Sequence, residues 1–140
     1  MKRCSGWRPM SGILLAGTML FGCFAPVVYG VYKVYDLGNH QVVALTIDEK
    51  PEAVYKSAIV VAGERGFKFV KRDDQQMVFS GISARGPEAT VKVTGLPRGE
   101  SRLTITVEKG KDVKLERQEI VDAVLGVCNR FGSHCKEEKE

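Results

Sequence analysis

Histidine is scarce: only His40 and His134 occur in 140 residues. Neither stands near a candidate nucleophile, so a histidine-driven active site has no footing. Ser57, Ser80, Ser83 and Ser101 lack a Gly-x-Ser-x-Gly setting, which excludes a nucleophile elbow. No Cys-x-x-Cys pair is present, so a thioredoxin-type redox centre is excluded. Cys128, His134 and Cys135 lack a fourth ligand at a usual metal spacing, and no metal or other cofactor is expected. Dense basic runs with interleaved aromatics are missing, which leaves nucleic-acid binding without an electrostatic footprint. Glu116, Glu119 and Asp122 alternate with Lys114 and Arg117 and read as solvated helix charges. The expectation is a protein that is not an enzyme.

Acidic residues are missing from the N-terminal segment, and that absence frames a motif. Lys2, Arg3 and Arg8 form a positive start, and Ile13 to Phe21 is a short apolar stretch. Leu20-Phe21-Gly22-Cys23 closes it and resembles a bacterial lipobox. Gly22 is the small residue needed before the cut. Cys23 then begins the mature chain and carries lipid. Each buried methylene contributes about 0.8 kcal/mol, so several acyl chains hold a domain to a bilayer firmly. Phe21 is bulkier than the residue usual at its position. The rival reading is an uncleaved anchor, because Pro9 to Tyr32 carries no charge and 24 residues can span a bilayer core. Pro26 and four glycines interrupt that run. Both readings place the rest of the chain beyond the membrane. Phe24, not Asp, follows Cys23, which resembles the outer-membrane default and a domain facing the periplasm.

Removing residues 1–22 lowers the formal charge from +4 to +1. Cys128 and Cys135 then remain as a natural disulfide pair for an oxidising compartment. The alternative is two unpaired thiols, one in the core and one on a loose tail.

The reading divides the chain into a signal peptide over 1–22, a lipidated apolar tether over 23–38, one α+β domain over 39–135 and a charged tail over 136–140. Tyr29, Tyr32 and Tyr35 in the tether suit a membrane interface, or a linker whose rings touch the domain. Gln41 to Asp48 reads as a strand. Pro51 to Arg65 reads as a helix, with Pro51 in its first turn and Gly66 as its stop. Phe67 to Lys71 and Met77 to Ala84 read as strands, with Gly81 marking a bulge. Ala89, Val91 and Val93 alternate with polar residues, as do Leu103, Ile105 and Val107. These are antiparallel strands with one apolar and one wet face. Asp112 caps a final helix whose stripe includes Val113, Ile120, Val124, Val127 and Phe131. The order β-α-β-β-β-β-α predicts a two-layer sandwich, with about five antiparallel strands and two helices on one face.

These features resemble a family of small bacterial lipoproteins catalogued as domain of unknown function thirty-five sixty-eight. The carriers are Leu20-Phe21-Gly22-Cys23, the tether rich in Gly and Tyr, the Pro51–Gly66 helix, Ser80-Gly81 and the two alternating strands. The resemblance covers Cys23 to about Phe131 and implies an envelope lipoprotein without implying an activity. The Cys128/Cys135 pair departs from what every member would be expected to show.

Two functions follow as expectations. The first is a non-enzymatic binding or scaffold module held to the lipid bilayer through Cys23. Its contact surface for an envelope protein partner is the wet sheet face, with Lys92, Arg102, Thr104 and Thr106. The second is a carrier of a hydrophobic small molecule or lipid, in a cavity that Phe67, Phe69, Met77 and Phe79 would line.

Overall fold

A computed structural model describes residues 28–84 and 86–138, apart from the side chains of Val28 and Tyr29. The signal segment, Cys23 and the first part of the tether lie outside the described residues. The elements run β1 (Val28–Leu37), β2 (His40–Ile47), α1 (Pro51–Glu64), β3 (Lys68–Asp73) and β4 (Val78–Ile82). They continue with β5 (Glu88–Gly95), a short 3-10 turn, β6 (Ser101–Glu108), α2 (Val113–Arg130) and β7 (His134–Glu137).

The expected α+β architecture is present, with seven strands rather than five. They pair in the order β3-β4-β5-β6-β2-β1-β7. All neighbours are antiparallel except β1 and β7. Two corrections account for the difference. Residues 28–37, read as part of a tether, form β1 and pair with β2 from Gly30–Ile47 to Leu37–His40. That pairing takes residues 28–32 out of the Pro9–Tyr32 run proposed as a helical anchor. The tail also contributes: His134 to Glu137 pairs with β1 as β7. The turn joining β1 to β2 is Gly38-Asn39, with Gly38 at φ +60°, where a side chain would be strained.

Both helices pack on one side of the sheet. Val43, Leu45 and Ile47 of β2 join Val91 and Val93 of β5 and Leu103, Ile105 and Val107 of β6 in one buried cluster. Val54, Ala58 and Val61 of α1 and Ile120, Val124 and Val127 of α2 close it from above. The alternate residues of the same strands therefore form a face that no helix among the described residues covers. α1 starts with Pro51 at its first turn and ends against Gly66 at φ +83°. Asp112 caps α2 by accepting from the Leu115 N–H at 3.1 Å.

β3 and β7 are the sheet edges. β3 is exposed along its whole length and carries Lys68, Lys71 and Arg72, and β7 is only four residues long. Charge and shortness both discourage edge-to-edge pairing. Opposite Gly81 the β3 register shifts between Phe69 and Lys71, leaving Val70 69% exposed. The bulge predicted at Gly81 thus falls on its partner strand. Gly81 is needed there for close approach, because a Cβ would overlap the Lys68 carbonyl.

Candidate functional site

Strand alternation sets four of the predicted contact residues on the helix-free face. Lys92 of β5 stands opposite Thr104 of β6, Arg102 opposite Thr94, and Thr106 opposite Thr90. Lys92 and Arg102 are exposed, and the two threonines are half-buried. The face continues where the sequence reading stopped. Thr104 pairs with Ala44 of β2, which pairs with Lys33 of β1. Val31, Tyr35 and Leu37 of β1 are exposed on the same face. Val42 is 2% exposed there, between Tyr35 and Thr106 in register. A trough of about 1810 Å³ crosses these strands, lined by Val31, Lys33, Tyr35, Ala44, Arg102 and Thr104. Among the described residues, Lys33, Lys92 and Arg102 take part in no ion pair. The apolar half of this surface escaped the sequence reading because β1 was assigned to a tether. Gly38-Asn39 between two apolar stretches was the signal that could have found it.

A second candidate lies under the helices. A cleft of about 570 Å³ opens between α1, α2 and the strands β4, β5 and β6. Phe79, Val91, Leu103 and Ile105 line its floor, and Ala58, Val61, Ile120 and Ala123 its walls. Of the four residues predicted to line a cavity, Phe67 and Phe79 do so; Phe69 and Met77 are not in its lining. Phe69 instead stacks at the sheet edge, with its ring centroid 5.1 Å from Phe67 and 5.2 Å from Phe79.

The polar groups around the cleft have defined tasks. Glu116, expected to be a solvated helix charge, is only 7% exposed. Its carboxylate accepts from the backbone N–H of Gly110 at 2.9 Å and of Asp112 at 3.4 Å, closing the loop that enters α2. Burial follows because this carboxylate serves orphan donors at a helix start rather than water. Arg65 donates to the Asp122 carbonyl at 3.3 Å, tying the end of α1 to α2.

Two further networks stiffen the frame. Fully buried Gln41 accepts from Arg117 Nε at 3.1 Å and donates to the Val113 carbonyl at 3.4 Å. Arg117 and Lys109 also face Asp36 at 3.6 and 3.7 Å, which fixes the end of β1 to the start of α2. At the other end of the sheet, the Tyr55 hydroxyl donates to Asp74 at 2.8 Å, and Arg72 holds the same carboxylate. Arg72 first, and Tyr55 second, hold the Asp74 carboxyl below its ordinary range. Burial, with the bond to Asp74 second, pushes the Tyr55 phenol up to about 12.

Cys128 and Cys135 form a disulfide that joins α2 to β7. His40 and His134 stand at opposite ends of the sheet, at the turn end of β2 and the start of β7. Ser101 is buried and donates to the Glu49 carbonyl, a structural task. Among the described residues no cluster of His, Cys, Asp and Glu is arranged to hold a metal ion, and no helix is long and apolar enough to cross a membrane.

No known protein family matches the chain, and no curated protein matches it.

Proposed function

We propose that the protein is a non-enzymatic binding module of a bacterial cell envelope, tethered through lipid on Cys23 and facing the periplasm from the outer membrane. The resemblance to the small lipoprotein family belongs to this reading. The helix-free sheet face is its contact surface for an envelope protein. One observation carries the reading: exposed Val31 and Tyr35 share one trough with Lys33 and Arg102, which take part in no ion pair among the described residues, and with Asp48, Glu100, Glu137 and Glu138. Exposed apolar area rimmed by polar groups is the usual mark of an interaction site. One feature supports the location, and one consequence follows from the anchor. The Cys128–Cys135 bond suits an oxidising compartment. Only residues 24–27 separate Cys23 from β1, so a lipid there holds the domain within about 18 Å of its attachment.

The test has two arms. The intact mass of membrane-extracted protein should begin at Cys23 with added acyl mass, and a Cys23→Ser variant should lose it. A full-length unmodified chain would refute the anchor. A photocrosslinking residue at Thr104 should capture one envelope protein, and Lys92→Ala with Arg102→Ala should reduce that capture severalfold. Capture unchanged by these substitutions would refute the surface.

A second reading, carriage of a hydrophobic small molecule or lipid, is favoured by the cleft beneath the helices.

A further inference from the structure

Protein interiors are packed to about three-quarters of their volume and hold few voids larger than a water molecule. The cleft of about 570 Å³ between the helices and the sheet is half open to solvent, not one of these interior voids. It falls within the roughly 300–1,000 Å³ range of small-molecule sites. Exposure is graded across the lining: Ala58, Val61, Ala89, Val91, Ile105 and Ile120 keep 5–8%, and Phe79, Leu103, Val107 and Val127 are at 0–4%.

The chemistry of the walls restricts the occupant. The floor and both helical walls are aliphatic or aromatic, so they offer contact area without hydrogen bonds. Polar side chains gather where α1 ends and the β4–β5 connection begins, at Glu64, Arg65 and Ser83, with Glu116 and Glu119 across from them on α2. An apolar body with a polar group at one end fits this division. A methylene is about as large as the ~30 Å³ liquid share of a water, so the cleft has room for about 19 such groups, enough for one long chain and too few for the two chains of a membrane lipid. Small side chains on both walls, Ala58 and Ala62 from α1 and Ala123 from α2, keep the space open.

We infer that the cleft between α1, α2 and the sheet is a binding site for one unbranched alkyl or acyl chain, held with its polar end at the rim formed by Arg65 and Ser83. This rests on the carrier reading and is independent of the sheet-face reading.

The test is photolabelling of the full chain in cell envelopes with two probes, a dodecyl diazirine and a sterol diazirine. Labelled residues are then mapped by peptide mass spectrometry. The dodecyl probe should label Ala62, Ile105, Ile120 or Ala123. Ala123→Phe, which fills the space from the α2 wall, should cut that labelling at least tenfold while the trough keeps its crosslink. If that variant fails to fold, Ala62→Leu fills the same space from α1. Labelling of cleft residues by the sterol probe alone would keep a carrier but overturn the unbranched chain. Absence of cleft labelling by either probe would overturn both, as would dodecyl labelling that the filled variants leave unchanged.

Discussion

Gly30 offers the sharpest check on how the sheet and the disulfide fit together. It lies in β1 opposite Ile47, on the core face, and pairs with Cys135 on the other side. A Cβ built there would overlap Cys135 Sγ, while Leu45 Cδ1 at 3.3 Å and the Thr46 carbonyl at 3.4 Å are tight but tolerable. Its φ is not in the left-handed region, so space and not backbone conformation demands glycine. Gly30→Ala should therefore destabilise the protein by about 1–3 kcal/mol, the usual cost of overpacking. At an m-value of about 1.5 kcal/mol/M, the urea midpoint should fall by roughly 1 M. The cause is testable because the sulfur can be removed. In a Cys128→Ala/Cys135→Ala background the main clash disappears. Ala in a strand interior is otherwise favoured over Gly by about 0.5–1 kcal/mol. The substitution should then be neutral or stabilising, a coupling of roughly 1–4 kcal/mol in a double-mutant cycle. Urea unfolding followed by circular dichroism reads all four proteins. An equal cost of Gly30→Ala in both backgrounds would refute the view that Cys135 Sγ sets the requirement.

The disulfide itself closes a short loop, with a sequence separation of 7. Its removal by Cys128→Ala with Cys135→Ala should cost about 2.5 kcal/mol by the chain-entropy relation, and loss of protection at the β7 amides in hydrogen exchange should accompany it. Tyr55 predicts an alkaline transition. Its phenol is raised from 10.0 to about 12 in the folded chain, so the folded state holds this proton more tightly than the unfolded state. The associated stability is complete below the ordinary phenol value near 10 and is lost as pH rises towards 12. Burial, with Glu137 and Asp122 after it, raises the Tyr32 phenol as well, so phenolate absorbance should show a late phase to which both contribute, and its Tyr55 part should vanish in Tyr55→Phe. A late phase unchanged in that variant would refute the assignment.

The parts of the fold that were legible in the sequence share one property: a single physical signal determined them. In β5 and β6 the apolar residues alternate strictly because one face is packed and the other wet. Pro51, Gly66 and Asp112 mark helix ends through fixed φ, positive φ and a side-chain acceptor, and each lies where it was expected. β1 failed this test because both its faces carry apolar groups: Tyr32 and Val34 point to the core, while Val31, Tyr35 and Leu37 are exposed. Without alternation it resembles a tether. β7 has only four residues, two of them charged, and depends on pairing with β1, which no local pattern reveals, whereas the Cys128–Cys135 bond that ties it to α2 was legible as a cysteine pair. Glu116 was misread for the same reason. Its sequence neighbours are charged, and its burial comes from the loop that folds back over it. For the candidate surfaces, alternation identified Lys92, Arg102, Thr104 and Thr106 as one face. It said nothing about the strands placed beside them.

Both candidate surfaces follow from a mismatch between layers. Seven strands at about 4.8 Å spacing make a sheet roughly 29 Å across between its outer strands. Two helices, each about 10 Å in diameter, cover roughly 20 Å of it. Among the described residues one sheet face therefore has no helices, and the other lacks about one helix width. Part of that shortfall is filled by Phe67, Phe69 and Phe79 against Tyr55, a cluster with ring centroids 5.1–6.0 Å apart over the β3–β4 edge. The rest is set by how closely the helices approach. Gly126 of α2 lets Val61 of α1 come so near that an added Cβ would lie 3.3 Å from Val61 Cγ1. Ala62 and Ala123, which line the cleft on the two helices, are short side chains that take up little of it. The cleft is thus a consequence of strand number and of small residues on two helices, and not of a loosely packed core. That origin leaves an apolar floor of Phe79, Val91, Leu103 and Ile105 beneath an open space.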